Sequence, residues 1–179
     1  MEELVKQAQK GDKEAFTQLI YEMRQDLYKI ARCRLSCEDD IEDAVQETMI
    51  ETFRNIKKLN KRESCKKWII KILVNKCNHI YKKNKNRNIS FENLELEKKY
   101  SFNENYNELE EIDFYLTLKG LNYDERIALT LFYLEDYSIK EISKLLKTNE
   151  NTIKTRLKRG KEKIKIKFLK GNEEYGCIR

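Results

Sequence analysis

Proline is absent from the chain, and glycine occurs only five times in 179 residues. Because proline and glycine disfavour helices more than any other residues, few positions in this sequence force a helix to end. The apolar residues also recur at helical spacing, as at Phe16, Leu19, Ile20, Met23 and Leu27. The pattern predicts an all-α fold.

Three helical stripes fill the first half of the sequence. The first follows Asp12, which is a candidate N-cap, and the third begins at Trp68. The second runs over residues 41–56 and carries Phe53 on its apolar side. Three helices with short connections can bury one shared core, so we predict a helical bundle here.

A stretch rich in Asn and Glu separates this bundle from the rest of the chain. It shows no sustained period, and helices resume at Phe114. We therefore predict two small helical domains, at 1–88 and 113–172, joined by an acidic linker at 89–112.

Composition argues against several classes of protein. The start of the chain is charged, and no stretch approaches the roughly 18 apolar residues of a membrane span, so we expect neither export nor membrane insertion. Five cysteines in such a chain predict reduced thiols and a cytoplasmic location. With His79 as the only histidine, we expect no enzyme activity, no cofactor and no metal site.

The net charge of +6 is distributed in blocks. Residues 54–88 carry +12 and residues 139–170 carry +9, whereas residues 1–53 and 89–113 each carry −6. Two basic blocks separated by an acidic segment predict two contacts with a polyanion in one chain. A lysine-rich, solvated surface is the alternative explanation for the lysines, but it does not explain their segregation.

Residues 138–161 have the form of a helix-turn-helix. Ser138 and Glu141 fit a capping box, as do Asn122 and Glu125 upstream. The second helix would present polar and basic residues to a major groove, unless the segment is only a helical hairpin with a solvated basic face. Its candidate DNA-binding residues are Asn149, Asn151, Thr152, Lys154, Thr155, Arg156, Lys158 and Arg159.

Two stretches of the chain resemble one known family. The segment LKGLNYDERIALTLFYLEDYSIKEISKLLKTNENTIKTRLKRGKEKI resembles region 4 of bacterial RNA polymerase sigma factors of the sigma-70 family. The segments DIEDAVQETMIETFRNIKKL and CKKWIIKILVNKCNHIYKK resemble region 2 of the same family. The order of the two regions, with no domain between them, is similar to the extracytoplasmic-function (ECF) group.

The resemblance implies three binding sites. The polymerase-binding residues would be Asp40, Asp43, Gln46, Glu47 and Phe53, facing the clamp helices of the largest polymerase subunit. The turn at 60–64 would capture a flipped base, and the residues facing the −10 element would be Lys61, Arg62, Lys71, Asn75, Lys76, His79, Lys82 and Lys83. Region 4 would bind the −35 element and the polymerase flap. The linker would thread the active-centre cleft, unless it is only a tether between the two domains.

The predicted function is therefore that of an ECF-type sigma factor, which binds core RNA polymerase, directs it to promoter DNA and helps to melt the −10 element. An anti-sigma protein is left open as a further partner. The alternatives are a helix-turn-helix regulator that never joins polymerase and a divergent sigma factor of the toxin-gene-regulator type. Residues 147–149 are predicted to form the turn of the helix-turn-helix, and Lys147 stands there where the family often has Gly, so it must adopt or avoid a left-handed conformation. Gly160 supplies the small residue that often follows the Arg of the recognition helix. We expect such departures to affect promoter preference more than the assignment.

Overall fold

The computed structural model describes residues 1–85, 118 and 120–176, so the predicted linker at 89–112 lies outside the described residues. Within the described part, the regular elements are helices, and no strand occurs among them. The chain divides into two compact units, Met1–Leu94 and Glu95–Arg179. The predicted all-α fold is confirmed.

The N-terminal unit contains four α-helices: α1 Glu2–Gln9, α2 Lys13–Arg32, α3 Glu38–Asn55 and α4 Cys65–Lys85. Two short 3-10 turns, Ile56–Lys58 and Arg62–Ser64, lie in the connection between α3 and α4. Asp12 caps α2 as predicted, because its carboxylate accepts from the backbone N–H groups of Glu14 and Ala15 at 2.9 and 3.0 Å.

The core of the N-terminal unit is formed by the apolar stripes of α2, α3 and α4. The buried side chains include Leu19, Met23, Leu27, Ile30, Ile41, Val45, Ile69, Ile70 and Leu73. Burial of this kind contributes about 25 cal/mol for each Å² of apolar surface removed from water. The core therefore holds the three long helices together, as the stripes predicted.

The placement of Phe53 on the buried side of α3 was wrong. Phe53 is 55% exposed, and its ring packs edge-on against Phe16 with 5.0 Å between ring centroids. The buried face of α3 continues through Thr48 and Thr52, and each further residue turns by about 100° around the helix. Phe53 therefore lies beyond the edge of that face, where a partner could contact it.

The C-terminal unit contains α5 Tyr123–Tyr133, α6 Ile139–Leu145 and α7 Glu150–Gly176. Both predicted capping boxes are present, at the starts of α5 and α6. Ile127, Leu131, Ile142, Ile153 and Leu157 form its core. Lys147 adopts a left-handed conformation with φ of +52°, which ends α6 and lets the chain turn into α7.

Gly160 lies at a close approach between α5 and α7. A Cβ atom at this position would lie 2.7 Å from Cδ1 of Leu129, which is closer than non-bonded carbon atoms pack. The missing side chain therefore allows α7 to pack tightly against α5. Together with the buried Ile153 and Leu157, this close contact holds α7 against α5.

Candidate nucleic-acid interfaces

The outer face of α4 brings together most of the residues predicted to meet the −10 element. Lys71, Asn75, His79 and Lys82 are exposed and lie four, four and three residues apart, so they form one stripe along the helix. Lys83 is exposed beside it, whereas the opposite face of α4 is buried in the core. The arrangement offers three lysines for phosphate contacts and an amide for a base edge.

Lys76 differs from these residues because it is tied to α3. Its ammonium Nζ lies 3.2 Å from Oε2 of Glu47 and 2.9 Å from Oε2 of Glu51. The hydrogen bond to Glu51 is the main cause that raises the pKa of Lys76, and Glu47 adds to it. The structure thus joins a residue predicted to bind DNA to one predicted to bind polymerase.

The polar face of α3 presents Asp43, Gln46 and Glu47 to solvent. Their spacing of three and four residues places them on one side of the helix, opposite the buried Ile41 and Val45. Asp40 is only partly exposed, and its Oδ2 accepts a hydrogen bond of 2.7 Å from Nδ2 of Asn84. Asp40 therefore joins the start of α3 to the end of α4.

The connection between α3 and α4 carries Lys61 and Arg62, both exposed. It is held by Gln9 of α1, whose Nε2 donates to the backbone oxygens of Ile56 at 3.0 Å and Leu59 at 2.7 Å. Nε of Arg62 donates to Oε1 of the same Gln9 at 2.8 Å. Nothing in the local sequence marks Gln9, because its partners lie 47 to 53 residues away.

The start of α7 is organised by Asn149. Its Oδ1 accepts from the backbone N of Thr152 at 2.7 Å and from the hydroxyl of Thr152 at 2.9 Å. The hydroxyl of Thr155 donates to the backbone oxygen of Asn151 at 2.9 Å. The remaining predicted side chains are exposed on the same helix: Asn151, Lys154, Lys158 and Arg159. α7 therefore presents a preformed polar and basic surface.

Arg156 is the exception on α7, because Nη2 of its guanidinium lies 2.8 Å from Oδ2 of Asp124 at the start of α5. The pair lines an open groove of about 540 Å³ between the first turns of α5 and α7. The groove is also lined by Asn122, Asn149, Asn151, Thr152, Thr155 and Arg159. An anion entering it would compete with Asp124 for the guanidinium.

Glu125 connects the two helices that line this groove. It is buried, and its carboxylate accepts from Nζ of Lys163 at 2.8 and 3.1 Å while also closing the capping box with Asn122. A buried carboxylate is stabilised when it is both paired and hydrogen-bonded. Glu125 therefore ties the start of α5 to the middle of α7.

The cysteines of the N-terminal unit lie mainly in its interior. Cys33, Cys65 and Cys77 are buried free thiols, and Cys37 is exposed. Burial raises the pKa of Cys77 to about 12, so its thiol stays protonated at neutral pH. Across 1–85 and 120–176 no group of three His, Cys, Asp or Glu residues could hold a metal ion. No helix within the searched part of the chain is long and apolar enough to cross a membrane.

Comparison with family models matches both halves of the chain. Residues 19–87 match "Sigma-70 region 2", and residues 112–164 match "Sigma-70, region 4". The sigma factor SigV of Bacillus subtilis is 29% identical over 152 residues, covering 84% of this chain and 89% of SigV. The ECF RNA polymerase sigma-E factor of Escherichia coli is 29% identical over 174 residues, covering 90% of each chain.

Solved structures show the same fold. CnrH in complex with the cytosolic domain of CnrY gives a TM-score of 0.61 at 21% identity, over 93% of this chain and 96% of that one. The sigma factor RpoE from Bartonella quintana, in complex with the anti-sigma factor NepR, gives 0.64 at 22% identity, over 92% and 98%.

These findings define the class of protein as a factor for transcription initiation. The chain belongs to the sigma-70 family of RNA polymerase sigma factors and, within that family, to the ECF group.

Proposed function

We propose that this ECF sigma factor divides its work among three surfaces. The polar face of α3 binds core RNA polymerase, α4 with the preceding connection binds the opened −10 element, and α7 binds the −35 element as duplex. The proposed domains are 1–88 and 113–172, with 89–112 as the linker that enters the active-centre cleft. The protein itself performs no covalent chemistry.

One observation supports this assignment of separate binding surfaces: the N-terminal unit exposes an acidic face and a basic stripe on two neighbouring helices. Asp43, Gln46 and Glu47 on α3 suit a basic protein partner, and Lys71, His79 and Lys82 on α4 suit a nucleic acid. A regulator that bound only duplex DNA would have no use for the acidic face. The clamp helices of polymerase are its proposed partner, with Phe53 as an apolar contact at its edge.

The mechanism is differential binding. Opening the −10 element costs a few kcal/mol of unstacking for each flipped base. Asn75 can hydrogen-bond a base edge, and the lysines around it can neutralise phosphates, so the open strand is bound better than the duplex. The major groove of the −35 element accepts α7, where Lys154, Lys158 and Arg159 reach base edges or phosphates.

The proposed partners also indicate where the protein acts. Core polymerase and promoter DNA are cytoplasmic in bacteria, so the proposed location is the cytoplasm. The flap of polymerase is the proposed contact of the C-terminal unit. An anti-sigma protein is a further proposed partner, as found for RpoE with NepR.

Reconstituted transcription tests the proposal. Purified core polymerase should initiate at specific promoters only when this chain is added. The double variant Asp43→Arg, Glu47→Arg should bind core polymerase at least 100-fold more weakly, because like charges across an interface cost several kcal/mol. Its control is Glu14→Arg, Glu22→Arg, which makes the same charge change on exposed positions of α2.

The outcomes separate the alternatives. Specific duplex binding without any association with core polymerase would identify a helix-turn-helix regulator and overturn the proposal. Loss of polymerase binding in both double variants would show a general charge effect and remove α3 as the docking face.

A further inference from the structure

Gln9 makes three hydrogen bonds to one connection, and all three are long-range. Its Nε2 donates to the backbone oxygens of Ile56 and Leu59, and its Oε1 accepts from Nε of Arg62. A glutamine amide has two N–H groups and one oxygen, so both donors and the acceptor are used. One side chain on α1 thus fixes both ends of the segment 56–62.

The two carbonyl groups lie where α3 has ended and the chain turns towards α4. Carbonyl groups near a helix end are often satisfied by side chains or water. The oxygen of Ile56 also accepts from the backbone N–H of Leu59 at 3.1 Å, so the bond from Gln9 is a second one there. Gln9 donates from an anchored position, because Val5 and Ala8 bury the inner face of α1 in the unit. The backbone of the connection is therefore held in place by hydrogen bonds from α1.

Arg62 is held in a way that leaves it able to bind. The bond to Gln9 uses Nε alone, and the guanidinium has four further N–H groups on its two terminal nitrogens. Arg62 is exposed, so these groups can donate to a phosphate or to a base edge. A side chain fixed at Nε loses less conformational freedom on binding than a mobile one.

We infer that Gln9 is a positioning residue for strand capture: it pre-orders the 56–62 connection and Arg62 for the opened −10 strand. This inference rests on the proposed function of the N-terminal unit. It assigns a role to α1, which contributes none of the residues predicted to touch DNA or polymerase.

Two variants of Gln9 test the inference in holoenzyme made from core polymerase and the full chain. Gln9→Leu keeps the size of the side chain and removes all three hydrogen bonds. Gln9→Glu keeps an acceptor for Arg62 but sets a carboxylate against two carbonyl oxygens. Gln7→Leu is the matched control, because Gln7 is exposed on the same helix.

The measurements are the affinity for a labelled single strand of the −10 element, taken from a promoter used by the wild-type holoenzyme, and the affinity for core polymerase. Both Gln9 variants should bind the strand about 5- to 10-fold more weakly, as expected from losing hydrogen bonds worth about 1 kcal/mol. Their affinity for core polymerase and for a duplex of the −35 element should stay within about twofold of wild type. Gln7→Leu should behave as wild type in all three.

Two results would overturn the inference: equal strand binding by wild type and both Gln9 variants, or an equal loss of strand and polymerase binding, which would make Gln9 a general support of the fold. If Gln9→Leu does not fold, Gln9→Glu alone decides by the same criteria. A wild-type holoenzyme that binds no single strand would instead refute the proposed function.

Discussion

The two proposed DNA surfaces of this protein are built in different ways. In the C-terminal unit, the surface is one helix, and its first turn is capped by Asn149, which bonds to Thr152 three residues away. In the N-terminal unit, the surface combines a helix with a connection that depends on Gln9, 47 and 50 residues from its carbonyl partners. One surface is organised mainly by local contacts and the other by distant ones.

The difference matches what each surface is proposed to bind. Duplex DNA has a regular groove, so a rigid helix with its side chains already placed can read it. An opened strand has no fixed shape, and binding it requires a surface that captures bases and backbone as they separate. The 56–62 connection, which is held by hydrogen bonds to Gln9 of α1, gives such a surface.

Among single substitutions within one unit, the largest effect should come from forcing α5 and α7 apart. Gly160→Leu would drive a side chain into Leu129, where even a Cβ lies only 2.7 Å away, and should lower the unfolding free energy of the C-terminal unit by about 2 kcal/mol. Hydrogen exchange of the full chain should speed up in 123–157 and stay unchanged in 13–84. Lys165→Leu, exposed on the same helix, is the control. Faster exchange in both units would contradict the expectation that this substitution affects the C-terminal unit alone.

The folding stability of the two units should also respond differently to alkaline pH. Burial raises the pKa of Cys65 from 9.0 to about 11 and that of Cys77 to about 12, whereas in the C-terminal unit burial raises the pKa of Tyr137 above 10.0. The unfolded chain loses these protons first, so folding stability is complete below the unfolded pKa and falls above it. The N-terminal unit should lose stability from about pH 9, by about 1.4 kcal/mol per thiol for each pH unit, until the pH reaches the folded pKa of that thiol.

Urea unfolding at pH 8 and pH 10 measures this loss. Trp68, the single tryptophan, reports on the N-terminal unit. The variant Cys65→Ala, Cys77→Ala should start from a lower stability, because alanine leaves a small cavity, but should lose less of it between the two pH values. An equal decline in wild type and variant would exclude the thiols as the cause.

A smaller effect is expected from Arg156 on the proposed duplex-binding surface, because this side chain is already paired with Asp124 of the same unit. Asp124→Asn weakens the ion pair with Arg156 and should raise the affinity for a −35 duplex about threefold, because exposed pairs are worth up to about 1 kcal/mol. The control is Asp136→Asn, which makes the same charge change at an exposed position whose left-handed backbone suits Asn. A lower affinity would show that Asp124 orients Arg156 for DNA instead of competing with it.

The smallest effect is expected from the ion pair of Lys76 and Glu51 in the N-terminal unit, which corresponds to the pair of Arg156 and Asp124 in the C-terminal unit. Glu51→Gln removes one of two carboxylates from Lys76 and should raise holoenzyme affinity for the −10 single strand about twofold. Glu51 is outside the proposed polymerase contacts, so binding to core polymerase should not change. Glu22→Gln on α2 makes the same charge change away from Lys76. No difference between the two variants would place Lys76 outside the strand-binding surface.

Much of the fold could be predicted because its signals are local. The cap at Asp12, the capping boxes of α5 and α6 and the turn at Lys147 each depend on residues within a few positions, and the structure confirms them. The apolar period predicted which face of each long helix is buried. Phe53 shows the limit of the period, because a residue at the edge of a stripe turns outward when the buried face continues through Thr48 and Thr52.

The candidate sites could be predicted only in part. The sequence singled out Lys76, Asp40 and Arg156 by residue type and by their place in the motifs, and they stay predictions as site residues. The structure shows that each is already bonded within its own unit, to Glu47 and Glu51, to Asn84 and to Asp124 respectively. No spacing rule reveals these bonds, because their partners lie on other helices.

The sequence by itself determined the helices, their caps and the two basic blocks, since helical period and capping depend on neighbours within about four residues. Only the tertiary structure decided which charged side chains are simply exposed and which form ion pairs or hydrogen bonds within their own unit. It did so by packing α1 beside the 56–62 connection, α3 beside α4, and α5 beside α7, which brings groups together that are 25 to 53 residues apart in sequence. Such contacts depend on how the helices pack, and helix packing follows from the shape of the whole core.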